Sequence, residues 1–296
     1  MERIKQALEL ARQERQKHVP NSTVSSFGAN KHKSIVDQHI EYTKTRSVAM
    51  PVRELREKKI IVDQQNHISD AYRLLRTQIL QRLNEKNWNT LAITSPGSGA
   101  GKSLTAINLA ISLAREVDNT VLLVDANLRS PQVQNYFDVH TKHGLSDYLS
   151  KDVPLDEIMV HPEGVPRFVI LPAGHAMSNS SEMLSSPKMQ RLVEELKNRY
   201  PSRIVLFDLP PLLESSDSLA FIPTVDASLV VIEEGKTQES ELRRAFELLQ
   251  NNEVIGTVLN KAYTRDRDYG SLDVKLGFMS QLLNKLSKKS LPAWAK

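Results

Sequence analysis

A chain of 296 residues with 40% hydrophobic side chains has ample length for a buried core, and the absence of cysteine rules out disulfide frameworks and thiolate metal sites. It contains no run of about 18 apolar residues, and Met1-Glu2-Arg3-Ile4-Lys5 opens a charged helix rather than a secretory segment, so a cytoplasmic protein is expected. Charge is segregated: residues 1–60 carry 13 basic against 7 acidic side chains, residues 61–260 carry 18 against 25, and residues 261–296 carry 8 against 3. An acidic core between basic arms suits an anionic partner such as a membrane surface, although ordinary solvated tails have the same composition.

Residues 1–15 set Ile4, Leu8 and Ala11 on one narrow helical stripe, too little apolar surface to hold a helix alone. Residues 16–60, rich in Ser, Thr, Asn, His and Lys and interrupted by Pro20, Gly28 and Pro51, read as a largely disordered linker. A strong amphipathic helix follows over residues 68–83, with Ile68, Ala71, Tyr72, Leu75, Ile79 and Leu83 on its apolar face. Asp70, Arg73 and Arg76 recur at every third position, so they form a slanted charged stripe outside that face.

Residues 90–110 organise the rest of the chain. An apolar strand runs into the loop Ser95-Pro96-Gly97-Ser98-Gly99-Ala100-Gly101-Lys102-Ser103 and then into a helix carrying Leu104, Ile107 and Leu109. Such a turn aims successive backbone N–H groups and a helix N-terminus at one point, where a polyphosphate is favoured. Lys102 reaches the β/γ oxygens in this reading, and the Ser103 hydroxyl binds Mg²⁺. The strict P-loop spacing is broken, because Pro96 stands where its first glycine belongs. Gly97, Gly99 and Gly101 still supply the backbone freedom.

Beyond the loop, strand-like runs at residues 121–124, 168–171, 204–207, 228–232 and 254–259 alternate with helical runs near 103–115, 155–160, 186–200 and 238–251. Nearly continuous apolar strands between helices predict an α/β fold, a doubly wound and mostly parallel sheet. Ligands of such sheets bind at the strands' carboxyl ends, which selects Asp125, Asp208, Glu233 and Asn260 beside the loop. Asp208 suits a water on Mg²⁺. Asp125, expected on the strand beside the first, can take a hydroxyl proton or order the metal's water. Arg129 either balances phosphate charge or pairs with that carboxylate. Asn260 can read an adenine edge, while Tyr263, standing where a guanine-reading N-K-x-D needs its carboxylate, disfavours guanine.

Other chemistries find no support. The histidines lack metal-ligand spacing, His175 reads as a loop residue, and Trp88 and Trp294 make no stacking platform, so no nucleic-acid partner is expected. After residue 264, Leu272, Leu276, Met279, Leu283 and Leu286 follow helical spacing among Lys275, Lys285, Lys288 and Lys289. That basic amphipathic tail suits either an anionic membrane surface or a packed final helix.

Five stretches together resemble the bacterial tyrosine kinases, the P-loop autokinases of capsule and exopolysaccharide synthesis. They are residues 70–77, the phosphate loop running into Asn108-Leu109-Ala110, residues 121–131 with Gly144-Leu145-Ser146-Asp147, residues 171–174 and residues 205–211. The N-terminal arm is similar to the subgroup found with exosortase-linked loci. The resemblance spans about residues 60–263 and implies a deviant Walker fold. It implies an ATP·Mg²⁺ site with Lys102, Ser103, Asp125 and Asp208, nucleotide contacts from Gly97 through Leu104 (Ser98, Gly99, Ala100 and Gly101 among them), and a ring oligomer built through Asp70, Arg73 and Arg76. It further implies a separate membrane-bound polysaccharide co-polymerase as activator, and transfer to a neighbour's tail, whose tyrosines here are Tyr263 and Tyr269. Asn127 departs from the family's Asp-x-Asp, Asp70 stands for Glu, and the tail lacks a tyrosine cluster. Two alternatives stay open: a positioning ATPase of the division-site kind, whose signature lysine would fall at Gly97, and an ATP-binding scaffold with weak catalysis.

Overall fold

The computed structural model describes residues 45–50, 52–61, 67–139, 141–200 and 202–262. The expected N-terminal helix, both candidate acceptors Tyr263 and Tyr269, and the basic tail lie outside these residues.

In chain order the elements are β1 (Arg46–Val48), α1 (Val52–Glu57), α2 (His67–Lys86), β2 (Thr90–Thr94), α3 (Lys102–Ala114), β3 (Thr120–Asp125), α4 (Val133–Tyr136), α5 (Leu145–Lys151) and α6 (Leu155–Ile158). They continue as β4 (Val160–Pro162), β5 (Phe168–Leu171), α7 (Ser180–Leu184), α8 (Pro187–Arg199), β6 (Arg203–Asp208), α9 (Asp217–Phe221), β7 (Ala227–Glu233), α10 (Glu239–Leu248) and β8 (Val254–Asn260). The eight strands form one sheet in the order β1-β4-β5-β3-β6-β2-β7-β8, parallel throughout except between β4 and β5.

The alternation of side chains along each strand explains why both faces are covered. Leu91, Ile93, Leu123, Leu206 and Leu229 point into the core shared with α2 and α3. Ala92, Leu122, Val124, Val205, Phe207 and Val230 point into the opposite core, under α8 and α10. The α3 helix is buried for almost its whole length, which is why its sequence carries no charged face.

Three expectations are corrected. Asp125 does not lie on the strand beside β2, because β6 is inserted between β2 and β3. The linker does not run to residue 60: β1 extends the sheet beyond β4, and α1 buries Leu55 while Ile60 and Ile61 join the core. Asn108 of α3 holds this strap, accepting from Ile61 N at 3.0 Å and donating to Lys59 O at 3.1 Å. The helical run at 155–160 stops at Ile158, and Val160 opens β4.

At the sheet's other end, Asp226 fastens β2 to β7. Its Oδ2 accepts from Asn89 N, Thr90 N and the Thr90 hydroxyl at 3.0, 3.0 and 2.7 Å, and Lys197 pairs with Oδ1. Burial raises this carboxyl, but Lys197, Thr90 and the two N–H groups outweigh it and hold it below its usual range. Asp226→Ala leaves those donors unmatched and is expected to cost about 3 kcal/mol. Urea unfolding of the two proteins measures the difference.

Candidate active site

The chain turns from β2 into α3 through a loop whose Gly101 has φ +86° and caps the helix with no side-chain hydrogen bond. The first helical bond runs from Thr105 N to Gly101 O at 2.9 Å. The N–H groups ahead of it therefore have no partner in the helix and form an anion-binding terminus. A Cβ on Gly101 would lie 2.2 Å from the Asn260 side-chain nitrogen, which donates to Ala100 O at 2.8 Å. Gly101→Ala is expected to open the loop and abolish detectable nucleotide affinity while the fold persists. Equilibrium binding of a fluorescent ATP analogue, with circular dichroism alongside, tests both halves.

The neighbouring strand ends supply the acidic groups. Asp125 and Asp208 face each other in the β3–β6 register, and both are fully buried. Asp125 Oδ2 accepts from Gln132 N at 3.0 Å and Val133 N at 2.9 Å, and its Oδ1 from Asn127 N at 3.2 Å. Burial pushes its carboxyl up, the nearby Asp208 charge pushes it further, and these three donors oppose the rise. Burial raises Asp208 as well, against the Lys102 charge first and the Ser103 hydroxyl second. Neither oxygen of Asp208 completes a hydrogen bond by distance and angle, so Ser103 acts on it from beyond bonding geometry.

A buried carboxylate with both oxygens free, beside a lysine, a serine and a second carboxylate, is costly unless a cation completes it. The donor set is all oxygen, as a hard cation such as Mg²⁺ prefers. The residues present therefore fit the metal and phosphate that their positions imply.

Several expected residues take other positions. Arg129 forms no ion pair with Asp125 among the described residues; it pairs instead with the buried Asp217, at 3.9 Å. Asn260 lies against the loop, where one N–H of its amide donates to Ala100 O, leaving the other N–H and the carbonyl oxygen for a base edge. Asn127 turns back on its own turn, with Oδ1 accepting from Ser130 N at 3.3 Å. Arg73 pairs with Asp70 at 3.1 Å on the surface of α2. Arg76 instead turns inward, donating to Ser112 O at 3.1 Å and pairing with Glu116 at 2.7 Å.

Three contacts escaped sequence reasoning. Lys261 donates to Gly99 O at 2.8 Å and pairs with Glu233 at 3.1 Å, and Ser98 N donates to Glu214 at 2.5 Å. The Gly144 stretch also acquires a cause: a Cβ there would sit 2.2 Å from Gly174 N. That close approach lets Leu145 N and Ser146 N donate to Pro172 O and Ala173 O. Met177 N in turn bonds Leu128 O, tying the β5 loop to the one that follows Asp125. His175 is a loop residue as expected, its Nδ1 2.9 Å from the Ser146 hydroxyl.

The family described as an AAA domain matches residues 88–257. Tyrosine-protein kinase YwqD of Bacillus subtilis is 32% identical over 216 residues, which cover 72% of this chain and 90% of that protein. Tyrosine-protein kinase ptk of Acinetobacter johnsonii is 31% identical over 193 residues, covering 64% of this chain but only 26% of that longer protein. Among solved structures, the kinase domain of Escherichia coli tyrosine kinase ETK superposes with a TM-score of 0.61 at 31% identity, covering 66% of this chain and 76% of that one.

Proposed function

Because this chain belongs to the bacterial tyrosine-protein kinase family, we propose that it is an ATP- and Mg²⁺-dependent tyrosine autokinase that regulates exopolysaccharide or capsule polymerisation or export. The observation that carries the reading is Asp208: fully buried, unmatched at both oxygens, and set against Lys102 and Asp125. Asp208 and Ser103 would hold the metal, which when bound draws charge from the β- and γ-phosphates. Lys102 and the loop N–H groups orient the same phosphates. Asp125, its carboxyl raised toward neutrality, is suited to take the proton of an acceptor hydroxyl. The three backbone donors on Asp125 keep it fixed while that proton moves.

The acceptors are Tyr263 and Tyr269, delivered from a neighbouring copy in a ring to which the Asp70–Arg73 surface of α2 contributes. A separate membrane-bound co-polymerase supplies the activating segment, and the protein works at the cytoplasmic face of the membrane, with the basic tail as a second contact. Asn127 does not weaken this reading, since its side chain closes its own turn in the way an aspartate would. Gly97 in place of a signature lysine counts against a positioning ATPase.

Incubation with γ-labelled ATP and the activator's cytoplasmic segment should place label on tyrosine, with phosphopeptides covering residues 263 and 269. Tyr263→Phe/Tyr269→Phe should lose it. Wild-type protein that stays unlabelled with the activator present overturns the reading.

A further inference from the structure

Beside the phosphate loop lies an open cleft of about 400 Å³ lined by Gly97, Leu213, Glu214, Ser240, Glu241 and Arg244. It joins the start of the loop to one face of α10, since residues 240, 241 and 244 share a helical side while Leu242 and Ala245 face the core. Its charges are not equivalent. Glu214 is held by Ser98 N, and Glu241 accepts from Gln238 N at 2.9 Å to cap the helix. The neighbouring Arg243 pairs with Glu239 at 2.9 Å. Arg244 is exposed and has no hydrogen-bond or ion-pair partner among the described residues.

A lone guanidinium beside two fixed carboxylates, opening onto Gly97 of the phosphate loop, is a pattern of one positive and two negative points. The segment that carries the candidate acceptors has the complementary alternation: Tyr263-Thr264-Arg265-Asp266-Arg267-Asp268-Tyr269. Asp268 and Asp266 precede Tyr269 by one and three residues, and Asp266 follows Tyr263 by three.

We propose that Arg244 is a specificity residue that binds Asp266 or Asp268 of a neighbouring copy's tail in this cleft, with Arg265 and Arg267 meeting Glu214 and Glu241, so that an acceptor tyrosine is presented at the phosphate loop. The assignment rests on the autokinase reading. It adds the surface that recognises the acceptor and the charges that are read. Exposed charge pairs contribute little affinity but strongly penalise a like-charge match, so the role of Arg244 is choice of acceptor more than strength of binding.

The cysteine-free chain permits a direct test. Full-length Ser240→Cys is mixed with full-length Gly270→Cys under mild oxidation, so that any heterodisulfide must join two copies. A linked dimer is expected, and Ser202→Cys, at the start of β6 and thus the opposite end of the sheet, should give none. No link, or an equal link from Ser202→Cys, overturns the proposal, as does a link found only within one chain carrying both cysteines. In the kinase assay, Arg244→Glu should lower tyrosine labelling on the order of tenfold with ATP affinity unchanged, and adding Asp266→Arg/Asp268→Arg should restore most of it. Labelling of Arg244→Glu within twofold of wild type overturns the role of Arg244. If wild type carries no phosphotyrosine and the cross-copy link persists, the kinase reading fails and the docking surface stands.

Discussion

Lys102→Met is expected to reduce phosphoryl transfer by on the order of 10³-fold and to weaken ATP binding roughly tenfold, with only a modest fall in melting temperature at neutral pH that disappears in acid. Methionine keeps the length of the side chain and removes its charge. That charge opposes the burial-driven rise of the Asp208 carboxyl, and it stands at the first helical position of α3, where the phosphates bind. The fold does not rest on it, because the packing of α3 comes from Ile107, Leu109, Ile111 and Leu113, all buried. Labelling with γ-labelled ATP, read with thermal unfolding, separates loss of chemistry from loss of structure. A mixture sharpens the result: Lys102→Met protein should still become labelled when wild type is added, because its tail remains an acceptor for a neighbour's site. Retention of labelling within threefold by the isolated variant would remove Lys102 from the reaction.

The phosphate loop and both aspartates were legible because their chemistry is local. A glycine-rich turn after an apolar strand, and a carboxylate ending each of two others, need no knowledge of which strands are neighbours. Strand order was not legible, since nothing in residues 203–208 says that β6 inserts between β2 and β3. The direct opposition of Asp125 and Asp208 follows only from that insertion. Short strands escaped for a different reason: β1 and β4 have three residues each, too few to show a period. Arg76 shows a third limit. Its spacing from Asp70 and Arg73 put it on a surface stripe, but the end of α3 offers Ser112 O and, just past the helix, Glu116, and the long side chain bends to them.

Asp208→Asn and Asp125→Asn should both abolish metal-dependent transfer and yet move stability in opposite directions. Each carboxyl is raised by burial above its value in the unfolded chain. Such a group binds its proton more tightly when folded, so its contribution to stability is fully present in acid and is lost as pH rises through the folded value. The metal-free protein should therefore melt at lower temperature at pH 8 than at pH 5.5. Asparagine at 208 removes the buried charge where no hydrogen bond is lost, because neither Asp208 oxygen has a bonded partner. Its melting temperature at pH 8 should rise by about 2–4 °C for each kcal/mol recovered, and the pH dependence should flatten. Asparagine at 125 also removes a charge, but the wild-type carboxylate takes N–H donors on both oxygens, from Asn127 at one and from Gln132 and Val133 at the other. An amide must turn its own NH₂ toward one of those sets, placing donor against donor, and the turn that carries Asn127 and α4 loses its anchor. That variant should melt below wild type at pH 8. Differential scanning calorimetry in EDTA at the two pH values measures all three proteins. Equal stabilisation of both variants would mean that the N–H donors contribute nothing at Asp125, whereas destabilisation by Asp208→Asn would mean that its carboxylate is matched in the metal-free protein after all. In the predicted case the buried pair is a site held at a cost to the fold, and Mg²⁺ with nucleotide should raise the wild-type melting temperature more than that of either variant.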